Sequence, residues 1–183
     1  MFIIHQKWFL EISPTGKVPV LQIGDEVLFE SAVISEYLDE VYSPALHPAD
    51  PLEKAKNRAW IEFTSPLYMG TFNLLMAKTK EDADKVIADM GKSLESLQNA
   101  KQAEPWFNGE DFSLVDIASA PFFVRAEFFK KHFELDLLEG LPKLQAWSEL
   151  VLARQTVKDS IVDGFDQMLL GRMESNESYL KQS

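Results

Sequence analysis

The chain has two short, mostly apolar runs near its start, Val18–Ile23 and Glu26–Phe29. The two residues between them, Gly24 and Asp25, favour a tight hairpin turn, because glycine readily adopts the positive φ that such a turn requires. In the next run, Ser31–Tyr42, the apolar residues fall on one face of a helix. The pattern therefore predicts a β-hairpin that leads directly into an amphipathic helix.

Beyond the turn-like stretch Ser43–Pro51, the apolar spacing is helical throughout. This change predicts a small mixed domain over residues 1–43 and an all-helical domain over residues 51–183. The expected fold class is therefore α+β, mostly α. The predicted helices of the second domain are residues 52–78, residues 81–101, a nearly all-apolar helix from Ser113, one that begins near Pro142, and an amphipathic stretch from Val157 to Leu169. We expect the polar tail from Glu174 to be loosely held, apart from Tyr179 and Leu180.

Composition narrows the chemistry that the chain can perform. Cysteine is absent and the three histidines are far apart, so we expect no thiolate catalysis, no disulfide, no metal site and no bound cofactor. The net charge of −11 argues against nucleic acid as a partner. No apolar run is long enough to cross a membrane or to form a signal core, which favours a soluble cytoplasmic protein without a membrane partner.

Two segments of the small domain could bind a ligand. If the bond between Val18 and Pro19 is cis, the backbone of Val18 can pair with an extended peptide; otherwise Pro19 simply opens a strand. Ser31 begins a helix, where free N–H groups and partial positive charge attract a carboxylate, and Glu30 could pair with an ammonium group. Ser31 could also be an ordinary N-cap. Together these residues suit the head of one α-amino acid.

The run WFLEISPTGKVPVL, followed by ES and a helix that ends in EYLDE, resembles the glutathione-binding half of a glutathione S-transferase. The likeness is to the omega-type and bacterial branches, including proteins similar to stringent starvation protein A. It implies a truncated thioredoxin-like N-terminal segment followed by the all-helical C-terminal domain of that family. Val18 and Pro19 would then grip the cysteinyl backbone of glutathione, and Glu30 with Ser31 would hold its γ-glutamyl end.

A second motif, Asn108–Asp116, agrees with this resemblance. Ser113 and Asp116 form a pair like a capping box, which is structural in the family because it nucleates the buried central helix. Most aromatic residues of the helical domain are expected to pack in its core, which leaves Tyr68 and Arg125 as candidates near a cleft for an electrophilic co-substrate. The resemblance also implies a homodimer.

The catalytic residue is unknown. Complete members of the family begin with a strand and a helix, whose junction supplies a Tyr, Ser or Cys to the glutathione thiolate. Because Phe2–His5 resembles the end of the second strand, we expect the first βα unit to be absent and the sheet edge to be open. Ser13 and Thr15 lie beside Pro14 and Gly16, which is typical of turn residues. A transferase and a non-catalytic binding or regulatory protein therefore both stay open.

Overall fold

The computed structural model describes residues 6–101 and 105–182. The chain divides into two compact units, residues 1–55 and residues 56–183. In the first unit the elements are helix α1 (Lys7–Ile12), strands β1 (Val20–Ile23) and β2 (Glu26–Phe29), and helix α2 (Ser31–Val41). The second unit contains most of α3 (Pro51–Met76), followed by α4 (Lys80–Ala100), α5 (Leu114–Phe133), α6 (Pro142–Ala153), α7 (Gln155–Ser160), α8 (Phe165–Ser175) and α9 (Tyr179–Gln182).

The predicted hairpin is confirmed. β1 and β2 pair antiparallel, from Val20 opposite Phe29 to Ile23 opposite Glu26, and Gly24 adopts a φ of 61° in the turn. β1 begins two residues later than predicted, because Pro19 has no N–H with which to join the ladder. These are the strands among the described residues, so the outer edge of each is unpaired there.

The sequence pattern missed α1. This helix has only six residues, which is too short for a helical period to be recognised, and it buries Phe9. The amide of Ser13 closes it with a 2.8 Å hydrogen bond to the carbonyl of Phe9. The segment Phe2–His5, which was predicted to resemble the end of a family strand, lies outside the described residues.

The helical unit is organised around α5, as predicted. Ser113 is its N-cap, and the capping box with Asp116 is formed. Four phenylalanines of α5 that were assigned to packing are buried: Phe122, Phe123, Phe128 and Phe129. Trp147 of α6 packs edge-on against Phe123, with ring centroids 4.9 Å apart. The core of this unit is therefore built from aromatic rings on α5 and α6.

Two predictions about the end of the chain were wrong. The stretch from Val157 to Leu169 is two helices, α7 and α8, and Gly164 adopts a left-handed φ of 75° immediately before α8. The tail is anchored before Tyr179 as well, because Asn176 Nδ2 donates a 3.1 Å hydrogen bond to the carbonyl of Met76. Tyr179, which was excepted from the loose tail, donates from its amide to the carbonyl of Ala77 at 2.8 Å. These contacts join residues about a hundred positions apart, which local patterning cannot register.

Candidate functional site

The first unit brings the four predicted ligand-binding residues to one end of the hairpin. The peptide bond between Val18 and Pro19 is cis and directly precedes β1. Because Val20 lies opposite Phe29, the start of β1 is next to the end of β2, where Glu30 and Ser31 follow. The register therefore places Val18 and Pro19 at the same end of the sheet as the beginning of α2.

The backbone of Val18 lies outside the ladder, which begins at Val20. Val18 is 46% exposed, so this part of the chain is accessible. The preceding turn is fixed by Ser13, whose Oγ donates a 3.0 Å hydrogen bond to the carbonyl of Lys17. Ser13 is itself buried, and its hydroxyl is used to hold this turn. The turn thus places Val18 at the surface, and the hydroxyl of Ser13 stabilises the turn.

The junction between β2 and α2 has an unusual backbone. Glu30 is the N-cap of α2 and has φ 69° and ψ 119°, a conformation that costs a non-glycine residue roughly 1–3 kcal/mol. Its carbonyl accepts a 3.0 Å hydrogen bond from the amide of Ile34. Ser31 is the first helical residue rather than the N-cap, and the side chain of Glu30 makes no capping bond. The backbone N–H groups in the first turn of α2 therefore donate no hydrogen bond to a capping side chain and are available to bind an anion.

The far end of α2 is held by a carboxylate that the sequence reasoning did not single out. Asp39 is buried and accepts hydrogen bonds from the amides of Leu46 and His47, the latter at 3.1 Å. On the exposed side, Lys54 makes ion pairs with Glu36 and Glu40 at 3.6 and 3.0 Å. These contacts fix the C-terminal half of α2 to the segment that follows it.

The second unit brings Tyr68 and Arg125 into direct contact. The guanidinium carbon of Arg125 lies 4.2 Å from the centroid of the Tyr68 ring, and Nη2 donates a 3.0 Å hydrogen bond to the Tyr68 hydroxyl. Burial lowers the pKa of Arg125, and the nearby Tyr68 opposes that shift in part. The ring of Phe165, 5.7 Å from the guanidinium carbon, also belongs to this cluster but was not predicted, because it lies 40 residues further along the chain.

Nothing in the described part of the chain forms a metal-binding group of three or more His, Asp or Glu side chains. No helix within residues 6–101 and 105–182 is long and apolar enough to cross a membrane. The first unit instead provides a backbone segment that could pair with a peptide, next to the N-terminus of a helix. The second unit provides a cluster of aromatic and cationic side chains.

Comparison with known proteins gives consistent matches to one family. Residues 3–41 match the N-terminal domain of glutathione S-transferases, and residues 38–155 match their C-terminal domain. The chain is 30% identical to glutathione S-transferase U19 of Arabidopsis thaliana over 84% of its own length and 72% of that protein. It is 32% identical to glutathione S-transferase omega-1 of Rattus norvegicus over 77% of its length, and it spans 59% of that relative.

Solved structures agree with the sequence matches. The crystal structure of glutathione transferase Omega 3C from Trametes versicolor superposes with a TM-score of 0.79 and is 28% identical, over 97% of this chain and 77% of that one. The predicted thioredoxin-like segment and helical domain are thereby confirmed, as is the likeness to omega-type proteins. The two domain matches together extend over most of the chain, and so the chain belongs to the glutathione S-transferase family.

Proposed function

We propose that this chain binds glutathione at one end of the hairpin, where Val18, Pro19, Glu30 and Ser31 lie. The observation that carries the proposal is the register of the sheet, which brings Val18 and Pro19, just before β1, to the same end as the start of α2. A tripeptide needs both a backbone to pair with and a site for its charged end. These two requirements meet at this end of the hairpin.

The chemistry of each group suggests its role. The backbone of Val18, which lies outside the ladder, pairs with the cysteinyl N–H and C=O of glutathione, in the manner of an added strand. The γ-glutamyl carboxylate is received by the free N–H groups at the start of α2 and by the Ser31 hydroxyl, where the helix dipole favours negative charge. The Glu30 carboxylate pairs with the γ-glutamyl ammonium. The unfavourable backbone of Glu30 supports this role, because such strain concentrates at ligand-binding positions.

The reaction proposed is conjugation. The glutathione thiolate attacks an electrophilic carbon, a carbon–sulfur bond forms, and a leaving group such as chloride departs with the bonding electron pair. Tyr68 and Arg125 are the candidates for contact with the electrophile. The residue that would stabilise the thiolate is not identified, so we expect slow conjugation together with weak glutathione binding. We further propose that the protein acts as a cytoplasmic homodimer.

The alternative function is a non-catalytic binding or regulatory protein of the same family. It is favoured by the absence of cysteine from the sequence and by the role of Ser13, whose buried hydroxyl holds a turn. A protein of this kind would not need to retain a glutathione site. Measuring both glutathione binding and turnover therefore distinguishes the two functions.

The experiment is a calorimetric titration of the chain with glutathione, repeated on the Glu30→Ala Ser31→Ala variant. Since a hydrogen bond to a charged group contributes roughly 1.5–3 kcal/mol, we expect the double substitution to weaken binding by about tenfold or more. Glu26→Ala is the matched control, because Glu26 is exposed at the opposite end of β2 and should leave the affinity unchanged. No binding by the native chain, or equal affinity in the double variant, would reject the proposed site.

Conjugation is measured separately with a reactive aryl halide. We expect a slow rate that depends on glutathione and falls with the double substitution. Glutathione binding without any turnover would favour the non-catalytic alternative.

A further inference from the structure

The cluster of Arg125, Tyr68 and Phe165 places a cationic side chain beside two aromatic rings. Arg125 lies in the middle of α5, and its guanidinium carbon is 4.2 Å from the centroid of the Tyr68 ring and 5.7 Å from that of Phe165. One of its Nη atoms donates to the Tyr68 hydroxyl at 3.0 Å and the other to the carbonyl of Pro121 at 3.3 Å. Its Nε is buried and has no hydrogen-bond partner among the described residues. Within that part of the chain, its hydrogen bonds therefore reach only uncharged acceptors.

Unlike the other basic side chains of α5, Arg125 makes no ion pair with a described residue. The other basic side chains of α5 make ion pairs: Lys130 with Asp136 at 2.8 Å, Lys131 with Asp166 at 2.7 Å and His132 with Asp166 at 2.8 Å. No carboxylate of residues 6–101 or 105–182 lies within 4.0 Å of Arg125, although the chain carries 29 acidic residues. Arg125 is half-buried, and even partial burial of a cation without an anion is unfavourable; the same desolvation lowers the pKa of Arg125. A ligand that brings an anion would remove this cost.

Tyr68 adds a second donor to the site. Its oxygen accepts from Arg125, so the phenolic hydrogen is directed elsewhere and can be donated to a ligand. The side chain of Tyr68 is 37% exposed, which leaves it accessible from solvent. A carboxylate has two oxygens and can accept from the guanidinium and from the phenol together. The rings of Tyr68 and Phe165 lie beside the guanidinium and neither residue is buried, so the apolar body of such a molecule would meet them there.

We propose that the electrophile taken by this protein is a small aromatic compound that carries a carboxylate, which Arg125 and Tyr68 bind. A monoanion is favoured over a phosphate dianion, because one cation provides the positive charge and the chain as a whole is strongly acidic. The inference deepens the proposed function by naming the class of its second substrate. The inference rests on the proposed function only for the role of this compound as the electrophile. Binding of the carboxylate itself depends on the second unit alone.

The test compares 4-nitrobenzoate with 4-nitrobenzamide, which has nearly the same shape but no charge, by calorimetric titration of the full chain. We expect the benzoate to bind about tenfold more tightly or better, which corresponds to about 1.4 kcal/mol. Arg125→Gln should abolish the difference, and Tyr68→Phe should reduce it. Lys130→Gln removes an exposed cation from the same helix and should preserve it.

The native chain tests the inference even if a variant does not fold. Equal affinity for the two probes, or no benzoate binding at millimolar concentration, overturns the inference, as does a preference that survives in a folded Arg125→Gln variant. Arg125→Lys keeps the charge and should keep part of the preference, which separates loss of charge from loss of structure. Glutathione titrated into the same preparations reports on the other site. A chain that binds glutathione without benzoate preference disproves only the inference, and the reverse result disproves only the glutathione site.

Discussion

The indole Nε1 of Trp147 donates a 2.7 Å hydrogen bond to Oδ1 of Asp116, and both residues are fully buried. The same carboxylate accepts from the amide of Phe107 at 2.9 Å, and from the amide and the hydroxyl of Ser113 at 2.7 and 2.8 Å. Asp116 therefore joins the start of α5 to the preceding loop and to α6. A local cap and a long-range contact are formed by one side chain.

Replacing Asp116 with Asn should lower the free energy of unfolding by about 2–4 kcal/mol. The amide has one oxygen where the carboxylate has two, so buried donors lose their acceptor, and a hydrogen bond to a charged group contributes about 1.5–3 kcal/mol. Urea unfolding followed by circular dichroism measures the loss. Asp111→Asn, an exposed change a few residues earlier, is the control and should shift stability by less than about 0.5 kcal/mol. Similar stabilities of the two variants would contradict this role for Asp116.

Gly70 and Gly91 make a matched pair of helical glycines with opposite expected effects. A Cβ on Gly70 would lie 2.5 Å from Met90 Sδ and 2.6 Å from its Cγ, whereas one on Gly91 meets nothing within 4 Å. We expect Gly91→Ala to raise the free energy of unfolding by up to about 1 kcal/mol, the usual gain in helix propensity. Gly70→Ala should lower it by about 1 kcal/mol, because overpacking exceeds that gain and Met90 is buried. Thermal unfolding of both variants checks this, and stabilisation by Gly70→Ala would show that Met90 repacks freely.

Asp166 links the start of α8 to the end of α5. Hydrogen bonds from His132 and then Lys131 lower its pKa below the ordinary value of 3.8. A carboxylate with a lowered folded-state pKa stabilises the fold above its unfolded pKa, and this contribution is lost as the pH falls through the folded value. At pH 7 we expect Asp166→Asn to cost at most about 1 kcal/mol, because the pair is partly exposed.

The difference between native and Asp166→Asn chains should begin to shrink as the pH falls below about 4, where the unfolded carboxyl takes up a proton, and should be lost once the pH falls below the lower pKa of the native carboxylate. Denaturant unfolding across this pH range tests the direction. Asp163→Asn, an exposed neighbour in the loop before α8, should show no such dependence. A difference that grows in acid would mean that Asp166 does not contribute as a carboxylate.

The homodimer stays a prediction. It follows from the family resemblance and from the outer edge of β1, which is unpaired among the described residues. A net charge of −11 on each copy opposes a purely electrostatic interface, so contacts between apolar surfaces are expected. Light scattering at micromolar concentration should give twice the mass of the chain, and the mass of a single chain would refute the prediction.

Features that depend on neighbouring residues were predictable from sequence. The Gly24–Asp25 turn and the box of Ser113 and Asp116 were identified because a turn and a helix start depend on φ preferences and hydrogen bonds within a few positions. Boundaries were less accurate where opposing signals met, as at Pro19, where an apolar run continues but the backbone cannot join the ladder. The juxtaposition of the four predicted glutathione-binding residues followed from the strand register.

Contacts distant in sequence were decided by tertiary structure. The sequence by itself determined the hairpin, the helical character of the second unit and the cap of α5, because each arises from local preferences and periodicity. It could not determine that Trp147 would share the carboxylate of Asp116, that Arg125 would lie against Tyr68, or that the tail would be anchored. Those contacts exist because packed helices bring together side chains tens of positions apart, and a buried polar group binds whichever partner the packing provides.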